Sequence, residues 1–339
     1  MTRIFFFACC TILSTCLGVA QTAPAITKTG TTVAQFLKIG VGARSVAMGG
    51  AVTAVANDVS SMYWNPAGLA TMATGEAIFN HINWIADTQM DVAAVALQIE
   101  GFGTLGGSFT SMNVGEMDVT TIEEPEGTGE RFTAGGTAMG LSYGRSLTDR
   151  FSIGFSVKYI RDYIYNMNAS TVALDFGTIY VAPVLNGLRI GASMTNFGSK
   201  MRLEGRDPLF LAHAGSGGQN LVNAQYELDS YELPLLFRVG LATDAVRDEN
   251  SRLTLAVDAI HPNDNTEYLN SGIEYTWGNI LSLRGGWNSL FQRGTEQGLT
   301  LGGGVEYEVP GSVALHFDYA YQDFGRLKEA HFFSVGVKF

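Results

Sequence analysis

Stretches of about ten residues with alternating side-chain character repeat along the sequence from Ala77 onward, and each is followed by a turn. In the clearest stretch, 151-FSIGFSVKY-159, Phe, Ile, Phe, Val and Tyr share one parity, while Ser, Gly, Ser and Lys share the other. A period of two sends these sets to opposite faces of a β-strand. Ten residues is about the length that a tilted strand needs to cross a bilayer. The pattern therefore predicts membrane-spanning strands with one apolar and one small or polar face.

About fourteen strands of this kind can be placed, and an even number is typical of bacterial membrane barrels. Their predicted positions are 77–84, 90–99, 102–112, 137–147, 150–160, 171–182, 188–197, 234–243, 253–260, 267–277, 280–288, 298–308, 312–321 and 330–339. We therefore predict an all-β fold, a transmembrane antiparallel β-barrel formed by residues 77–339. The ionisable residues on the polar parity, which we expect in the lumen, include Lys158, Arg189, Asp258, Arg284 and Asp318.

The composition excludes several other classes of protein. Only 16% of the residues are charged, whereas soluble domains carry about 25%. No stretch beyond the N-terminus approaches the 18 or so apolar residues of a membrane-spanning helix, so a helical membrane protein is disfavoured. The net charge of −11 argues against nucleic-acid binding, which needs a basic surface.

The first 20 residues have the features of a secretory signal peptide. Arg3 precedes an apolar run from Ile4 to Val19, and small residues follow up to Ala20. Cleavage is expected after Ala20, with Ala23 and Ala25 as alternatives. Residues 21–76 would then form an N-terminal extension ahead of the barrel.

All three cysteines, Cys9, Cys10 and Cys16, lie within the predicted signal. Signal removal would leave the mature chain without a disulfide, a thiol nucleophile or a Cys-based metal site. The alternative to an ordinary signal peptide is lipidation of Cys16, because 13-LSTC-16 resembles a lipobox. Thr15, however, is large and polar for the position before a lipidated cysteine.

The predicted connections differ in length on the two sides of the barrel. Most turns after even-numbered strands are short, with 244–252 the weakest fit, whereas the segments after odd-numbered strands are longer. The long segments are 113–136, 161–170, 198–233, 289–297 and 322–329, although the first loop, 85–89, is short. Bacterial barrels carry short periplasmic turns and long outer loops. The asymmetry therefore predicts a protein of the cell outer membrane, in contact with its lipid, with both termini in the periplasm.

Two long loops, 118–136 and 198–233, have two interpretations. They are solvated surface loops, or they form a docking surface for partner proteins, since long loops are often functional. The final strand, 333-FSVGVKF-339, ends on an aromatic residue and resembles the signal by which assembly machinery recognises outer-membrane barrels.

Residues 30–74 lack the strand pattern and are rich in Ala and Gly. Small side chains permit close packing, so we predict a short helical plug inside the lumen. Buried ions need partners, and Arg44 and Asp58 are expected to pair with lumen residues such as Arg189, Asp258 or Glu306. Their alternative role is a latch that releases the plug. Tyr63 and Trp64 either line a pocket for a hydrophobic ligand or pack against the wall.

The motif 42-GARSVAMGGA-51, followed by 57-NDVSSMYWNPAGLA-70, resembles the N-terminal signature of the PorV/PorQ family, a branch of the FadL-like outer-membrane barrels. The segment 231-YELP-234 before 237-FRVG-240 is also similar. The resemblance implies that certain residues belong to the plug and its packed core, namely Gly42, Ala43, Arg44, Met48, Gly49, Gly50, Asp58, Asn65, Pro66 and Ala67.

The resemblance implies two alternative functions. PorV-like proteins bind secreted cargo proteins and transfer them in type IX secretion, together with other components of that system. FadL-like relatives pass hydrophobic small molecules across the outer membrane. The first is our leading prediction, and the second is the alternative.

Signals for enzyme chemistry are weak. The stretch 101-GFGTLG-106 matches a dinucleotide-binding pattern but runs on into a predicted strand instead of a helix. His316 and Asp318 share one strand face and could form a catalytic dyad, although a polar pair that anchors the plug fits better. The five histidines have no metal-ligand spacing. We therefore expect a protein that is not an enzyme and needs no cofactor or metal.

Overall fold

The computed structural model describes residues 28–213, 221–309 and 313–339, so the predicted signal peptide lies outside the described residues. The strands in these ranges are β1 (Glu76–Asn83), β2 (Gln89–Ile99), β3 (Gly103–Asp118), β4 (Arg131–Thr148), β5 (Phe151–Ile164), β6 (Met167–Ala182), β7 (Leu188–Gly198), β8 (Glu204–Gly205), β9 (Leu209–His213), β10 (Leu221–Gln225), β11 (Leu236–Arg247), β12 (Ser251–Pro262), β13 (Tyr268–Trp277), β14 (Leu281–Leu290), β15 (Leu299–Val309), β16 (Val313–Asp323) and β17 (Glu329–Lys338).

Strands β1–β7 and β11–β17 form one closed antiparallel barrel of 14 strands. The first and last strands close it, with Ile78 opposite Gly336. Each of the fourteen predicted strands coincides with one of these, so the predicted fold is confirmed. Strand β8 pairs with the end of β6, while β9 and β10 form a separate hairpin.

The two faces of the wall differ as the alternation predicts. On β5, Ser152 and Ser156 are buried, whereas Phe155 and Tyr159 are 47% and 48% exposed on the outside. The same holds for the ionisable residues placed on the polar parity, since Asp258, Arg284 and Asp318 are buried in the lumen. A continuous apolar outer belt needs lipid instead of water, so the barrel spans a membrane. No helix in the described ranges is long and apolar enough to do so.

The connections alternate between two rims. The short-turn rim carries 100–102, 149–150, 183–187, 248–250 and 278–280, and the long-loop rim carries 84–88, 119–130, 165–166, 199–213 with 221–235, 263–267, 291–298 and 324–328. The predicted long loop 161–170 is wrong, because β5 and β6 continue to Ile164 and Met167 and leave a two-residue turn. The weak fit at 244–252 has a similar cause: β11 continues through a bulge to Arg247.

The segment before β1 is a plug of short helices inside the barrel. It contains 3₁₀ turns at Gln35–Lys38 and Pro66–Thr71, and α-helices α1 (Ala43–Ala47) and α2 (Ser61–Trp64); a further 3₁₀ turn, Gly325–Leu327, lies outside it. Helix α1 is short because Gly42 and Gly49 on either side have φ values of 87° and 66°. Glycine adopts such positive φ values readily, and they interrupt a right-handed helix.

The plug runs from one rim to the other. Near its start, Lys38 pairs with Asp264 of the long-loop rim at 3.0 Å. At its end, β1 begins at the short-turn rim, where the Phe339 amide donates to the Gly75 carbonyl at 2.9 Å. The first described residues and Phe339 thus lie at opposite rims, and the shared periplasmic position of both termini stays a prediction.

Candidate functional site

Glycines on the lumen face of the wall let the plug backbone touch it. A Cβ on Gly286 would lie 2.3 Å from the Gly49 amide nitrogen, and one on Gly154 would lie 2.2 Å from the Pro66 carbonyl carbon. Any larger residue there would displace the plug. These wall glycines are plug-contact positions that the plug motif alone does not reveal, although their shared parity on the strands is a usable signal.

Asn65 joins the plug to the wall. Its side-chain amide donates to the carbonyls of Thr53 at 2.7 Å and Thr178 at 3.1 Å, while its oxygen accepts from the Ala67 amide at 3.1 Å. The residue is fully buried, so these bonds satisfy a polar group that water does not reach. The next two motif residues, Pro66 and Ala67, begin the 3₁₀ turn that packs against β4, β5 and β6.

Arg44 is the most connected charge of the plug. Its guanidinium donates twice to Glu274, at 2.8 and 2.9 Å, and once each to Asn57 at 2.7 Å and Asp58 at 3.0 Å. Two parallel bonds to one carboxylate form the strong bidentate geometry of an Arg pair. The pairing of Arg44 with Asp58 and a wall carboxylate holds the plug in place.

The wall partners predicted for Arg44 and Asp58 are wrong. Arg189 instead pairs with Asp244 at 2.7 Å, Asp258 accepts from the Thr53 amide at 2.9 Å, and Glu306 pairs with Lys338 at 2.6 Å. The reason is the position of α1, which packs against β14 to β17 and so directs its arginine towards β13.

A chain of buried charges continues from Arg44 across the wall, and we call it the lumen charge network. Glu274 accepts from Arg284 at 2.7 Å, and Arg284 donates to Asp318 at 2.5 Å. Beyond Asp318 comes His316, which approaches Asp318 at 3.1 Å and Glu76 at 2.9 Å. Glu76 accepts the amide of plug residue Val59 at 2.9 Å, so the network reaches the plug at both ends.

His316 and Asp318 form a polar pair that reaches the plug through Glu76. Each ring nitrogen of His316 faces a carboxylate, Asp318 on one side and Glu76 on the other. A general base needs a free ring nitrogen to accept a proton from a nucleophile. The arrangement favours the polar pair over the catalytic dyad.

A cavity of about 50 Å³, the apolar cavity, lies between the plug and strands β1–β5. Most of its lining is apolar: the plug supplies Phe36, Leu37, Ile39, Val41, Val59, Ser60, Met62 and Tyr63, and the wall supplies Ile78, Met90, Val92, Ala94, Ser108, Thr110, Ala138, Gly140 and Lys158. Of the two aromatic residues singled out in the sequence, Tyr63 lines this cavity. Trp64 instead packs inside the plug, where its indole nitrogen donates to the Val41 carbonyl at 2.8 Å.

A second cavity of about 460 Å³, the polar cavity, lies towards the short-turn rim. The whole lumen charge network lines it, together with Asp58, Arg252, Glu308 and Lys338. Ser60 of the plug and Ile78 of the wall line both cavities. The plug thus divides the lumen into an apolar and a polar compartment that meet at these two side chains.

Among the described residues, no cluster of His, Asp or Glu has the arrangement of a metal site. The other Gly-rich pattern, 101–106, lies at the turn between β2 and β3 and in the start of β3, with Gly103 paired to Ile99. It therefore lacks the following helix that a dinucleotide site requires.

The barrel resembles the structures of known outer-membrane channels. It matches the CymD monoaromatic hydrocarbon channel with a TM-score of 0.58 and 13% identity, over 88% of this chain and 97% of that one. The toluene transporters TbuX of Ralstonia pickettii and TodX of Pseudomonas putida match with TM-scores of 0.55 and 0.53, at 13% and 12% identity and with the same coverage. At this level of identity the likeness establishes a shared FadL-like barrel fold.

In sequence, residues 14–160 match an uncharacterised protein family, UPF0164, over less than half of the chain. A comparison with curated proteins finds no match. The PorV/PorQ resemblance and the link to type IX secretion stay predictions, because neither the matching structures nor the matching family is described as PorV, PorQ or a secretion component.

Proposed function

We propose that this protein is a channel of the outer membrane that passes small apolar molecules. The apolar cavity between plug and wall is the observation that carries the proposal. Mostly apolar pockets with few polar groups are the usual sites for such ligands. Structural neighbours described as transporters of toluene or monoaromatic hydrocarbons support the same function.

The short-turn rim faces the periplasm in this proposal, and the long-loop rim faces outwards. The support is the general rule that periplasmic turns are short and outer loops long. The C-terminal Phe339 then lies on the periplasmic side, and the loop residues 119–130, 199–213 and 221–235 lie outside.

The volume of the apolar cavity indicates whether the channel in this structure has room for a ligand. At about 50 Å³, it is smaller than the roughly 150 Å³ cavity that holds a benzene molecule in an engineered protein core. A single aromatic ring can therefore enter this cavity only when the plug moves. Met62 is suited to this, since an unbranched thioether side chain adapts easily to a changed space.

Uptake of radiolabelled toluene by cells with and without the protein in their outer membrane tests the function. Ala94→Phe fills the apolar cavity and should lower the protein-dependent uptake. The matched control is Ala93→Phe, since Ala93 is the neighbouring residue on the lipid face of the same strand. Uptake that does not depend on the protein, or equal uptake by the two variants, would contradict the proposal.

A second candidate function is the transfer of secreted cargo proteins, and the β9–β10 hairpin favours it. On one face of this hairpin Phe210 stacks on Tyr226 at 4.6 Å, and both rings are exposed, as is Val222. Exposed apolar clusters of this kind often mark protein-binding surfaces. Deletion of the gene separates the candidates: loss of surface-attached proteins with unchanged toluene uptake supports the second and contradicts the first.

A further inference from the structure

The two lumen cavities are separated by a thin partition. Ser60 of the plug and Ile78 of β1 border the apolar cavity on one side and the polar cavity on the other. Ile78 belongs to a strand that is paired along its whole length with both neighbours. Movement at the partition must therefore come from the plug segment around Ser60.

Residues Asn57–Ser60 lead into α2, whose amides bond to the carbonyls of Asp58, Val59 and Ser60, and side chains hold the segment to α1 and to the wall. Asp58 accepts from the Ser60 amide at 2.9 Å and, through its other oxygen, from Arg44 at 3.0 Å. Asn57 accepts a further bond from Arg44, and Val59 donates its amide to Glu76 at 2.9 Å. The bonds from Arg44 to Asn57 and Asp58 border the polar cavity, so water can replace them when the segment moves.

The wall behind the apolar cavity is continuous. The ladder between β2 and β3 runs without a shift from Gln89 to Ile99, past the cavity residues Val92 and Ala94. The nearest irregularities in the β3–β4 and β4–β5 ladders lie beyond the cavity, at 113–116 and 146–148. In the described part of the wall, the cavity therefore has no sideways outlet into lipid.

We propose that Asn57–Ser60 is the gate of the channel, and that molecules leave the apolar cavity along the barrel axis, through the polar cavity to the short-turn rim. The inference rests on the proposed transport of apolar molecules and adds the route and the moving part. The structure is then the closed state, with the gate locked to α1 through Arg44. Helix α1 is itself fixed to the wall by Glu274 and by Ser334, which accepts the Ala43 amide at 2.8 Å.

A reversible crosslink between α1 and the gate tests this route. The hydroxyl oxygens of Ser45 and Ser60 are 3.3 Å apart, so Ser45→Cys with Ser60→Cys can form a disulfide that ties the gate to the fixed helix. The matched control is Ser142→Cys with Ser156→Cys, because these residues face each other on β4 and β5 with oxygens 2.7 Å apart and touch no gate residue.

Toluene uptake is measured for both pairs under oxidising and reducing conditions, with crosslinking verified by mass spectrometry. We expect oxidation to lower uptake through the gate pair at least about tenfold, with recovery on reduction, and to change the wall pair less than about twofold. Unchanged uptake through the oxidised gate pair, in a protein whose reduced form transports, would overturn the axial gate and leave the transport function standing. Absence of uptake by the unaltered protein would overturn the transport function itself.

Discussion

The plug contains two kinds of attachment to the wall, and they differ in what can undo them. Around Gly49 and Pro66, backbone lies directly against wall glycines with no room for a side chain. Around Asp58, the plug is held by an ion pair and hydrogen bonds next to the polar cavity of about 460 Å³. Close packing fixes position and is lost only with unfolding, whereas a charge clamp has a partner that water can replace. The first attachment is therefore structural, and the second is suited to movement.

The largest expected effect follows from removal of the shared carboxylate of the network. Glu274→Gln removes the negative charge that Arg44 and Arg284 share, and loss of one charge of a buried pair costs about 3–5 kcal/mol. The free energy of unfolding in urea should fall by this order. The control is Glu116→Gln, since Glu116 pairs with Arg131 on the exposed extension of β3 and β4. Equal stability of the two variants would show that the network does not hold the plug.

A methyl group at a packed contact should have the next largest effect. Gly154→Ala places a Cβ against the Pro66 backbone, and overpacking of this kind costs about 1–3 kcal/mol. The control is Gly107→Ala, because nothing lies within 4 Å of a Cβ at Gly107. The denaturation midpoints of the two variants provide the measurement. A tolerated Gly154→Ala would mean that the packed contact is as adaptable as the clamp.

Loosening of the clamp should change transport more than stability. Asp58→Asn weakens the pair with Arg44 but keeps an oxygen for the Ser60 amide, so we expect toluene uptake to rise about two- to tenfold, a difference of roughly 0.4–1.4 kcal/mol in gate opening. Asp264→Asn is the control, since Asp264 also joins plug to wall but lies at the long-loop rim. A rise for Asp264→Asn alone would place the moving part at the other end of the plug.

The smallest expected effect concerns pH at the long-loop rim. Burial alone would raise the pKa of Asp264, but the Thr32 hydroxyl and the Lys38 ammonium outweigh it and hold this pKa below its usual value. A depressed carboxyl pKa stabilises the docked segment above the unfolded value of about 3.9, and this contribution is lost as the pH falls through the folded pKa. The protection of the amides of residues 32–38 from hydrogen exchange, taken relative to the intrinsic exchange rate at each pH, should therefore fall at acid pH. Asp264→Asn should remove this pH dependence, and an unaltered dependence would assign it to another group.

The sequence predicts the wall far better than it predicts the plug contacts. A period of two is local, so fourteen strands and their inward charges, such as Asp258, can be assigned from neighbouring residues alone. Loop lengths are less predictable, because β5 and β6 pair beyond the length that a bilayer needs. Sequence alone therefore predicts a loop where a hairpin continues.

The partners of Arg44 could not be assigned for a different reason. They depend on which strands α1 faces, and this is set by closure of the barrel and rotation of the plug within it. Glu274 lies 230 positions away from Arg44, and nothing in its local pattern distinguishes it from Asp258 or Glu306. The apolar cavity is likewise a product of packing among distant residues.

The hydrogen bond between Phe339 and Gly75 has a consequence for the order of assembly. The chain leaves the plug at Gly75, enters β1 at Glu76, and there meets the last strand with Glu76 opposite Lys338. The pairing of β1 with β17, which closes the barrel, thus lies beside the point where the plug ends. If β1 and β17 pair last during folding, the plug can pack against the other strands before the barrel closes. The plug then does not have to enter a barrel that is already closed.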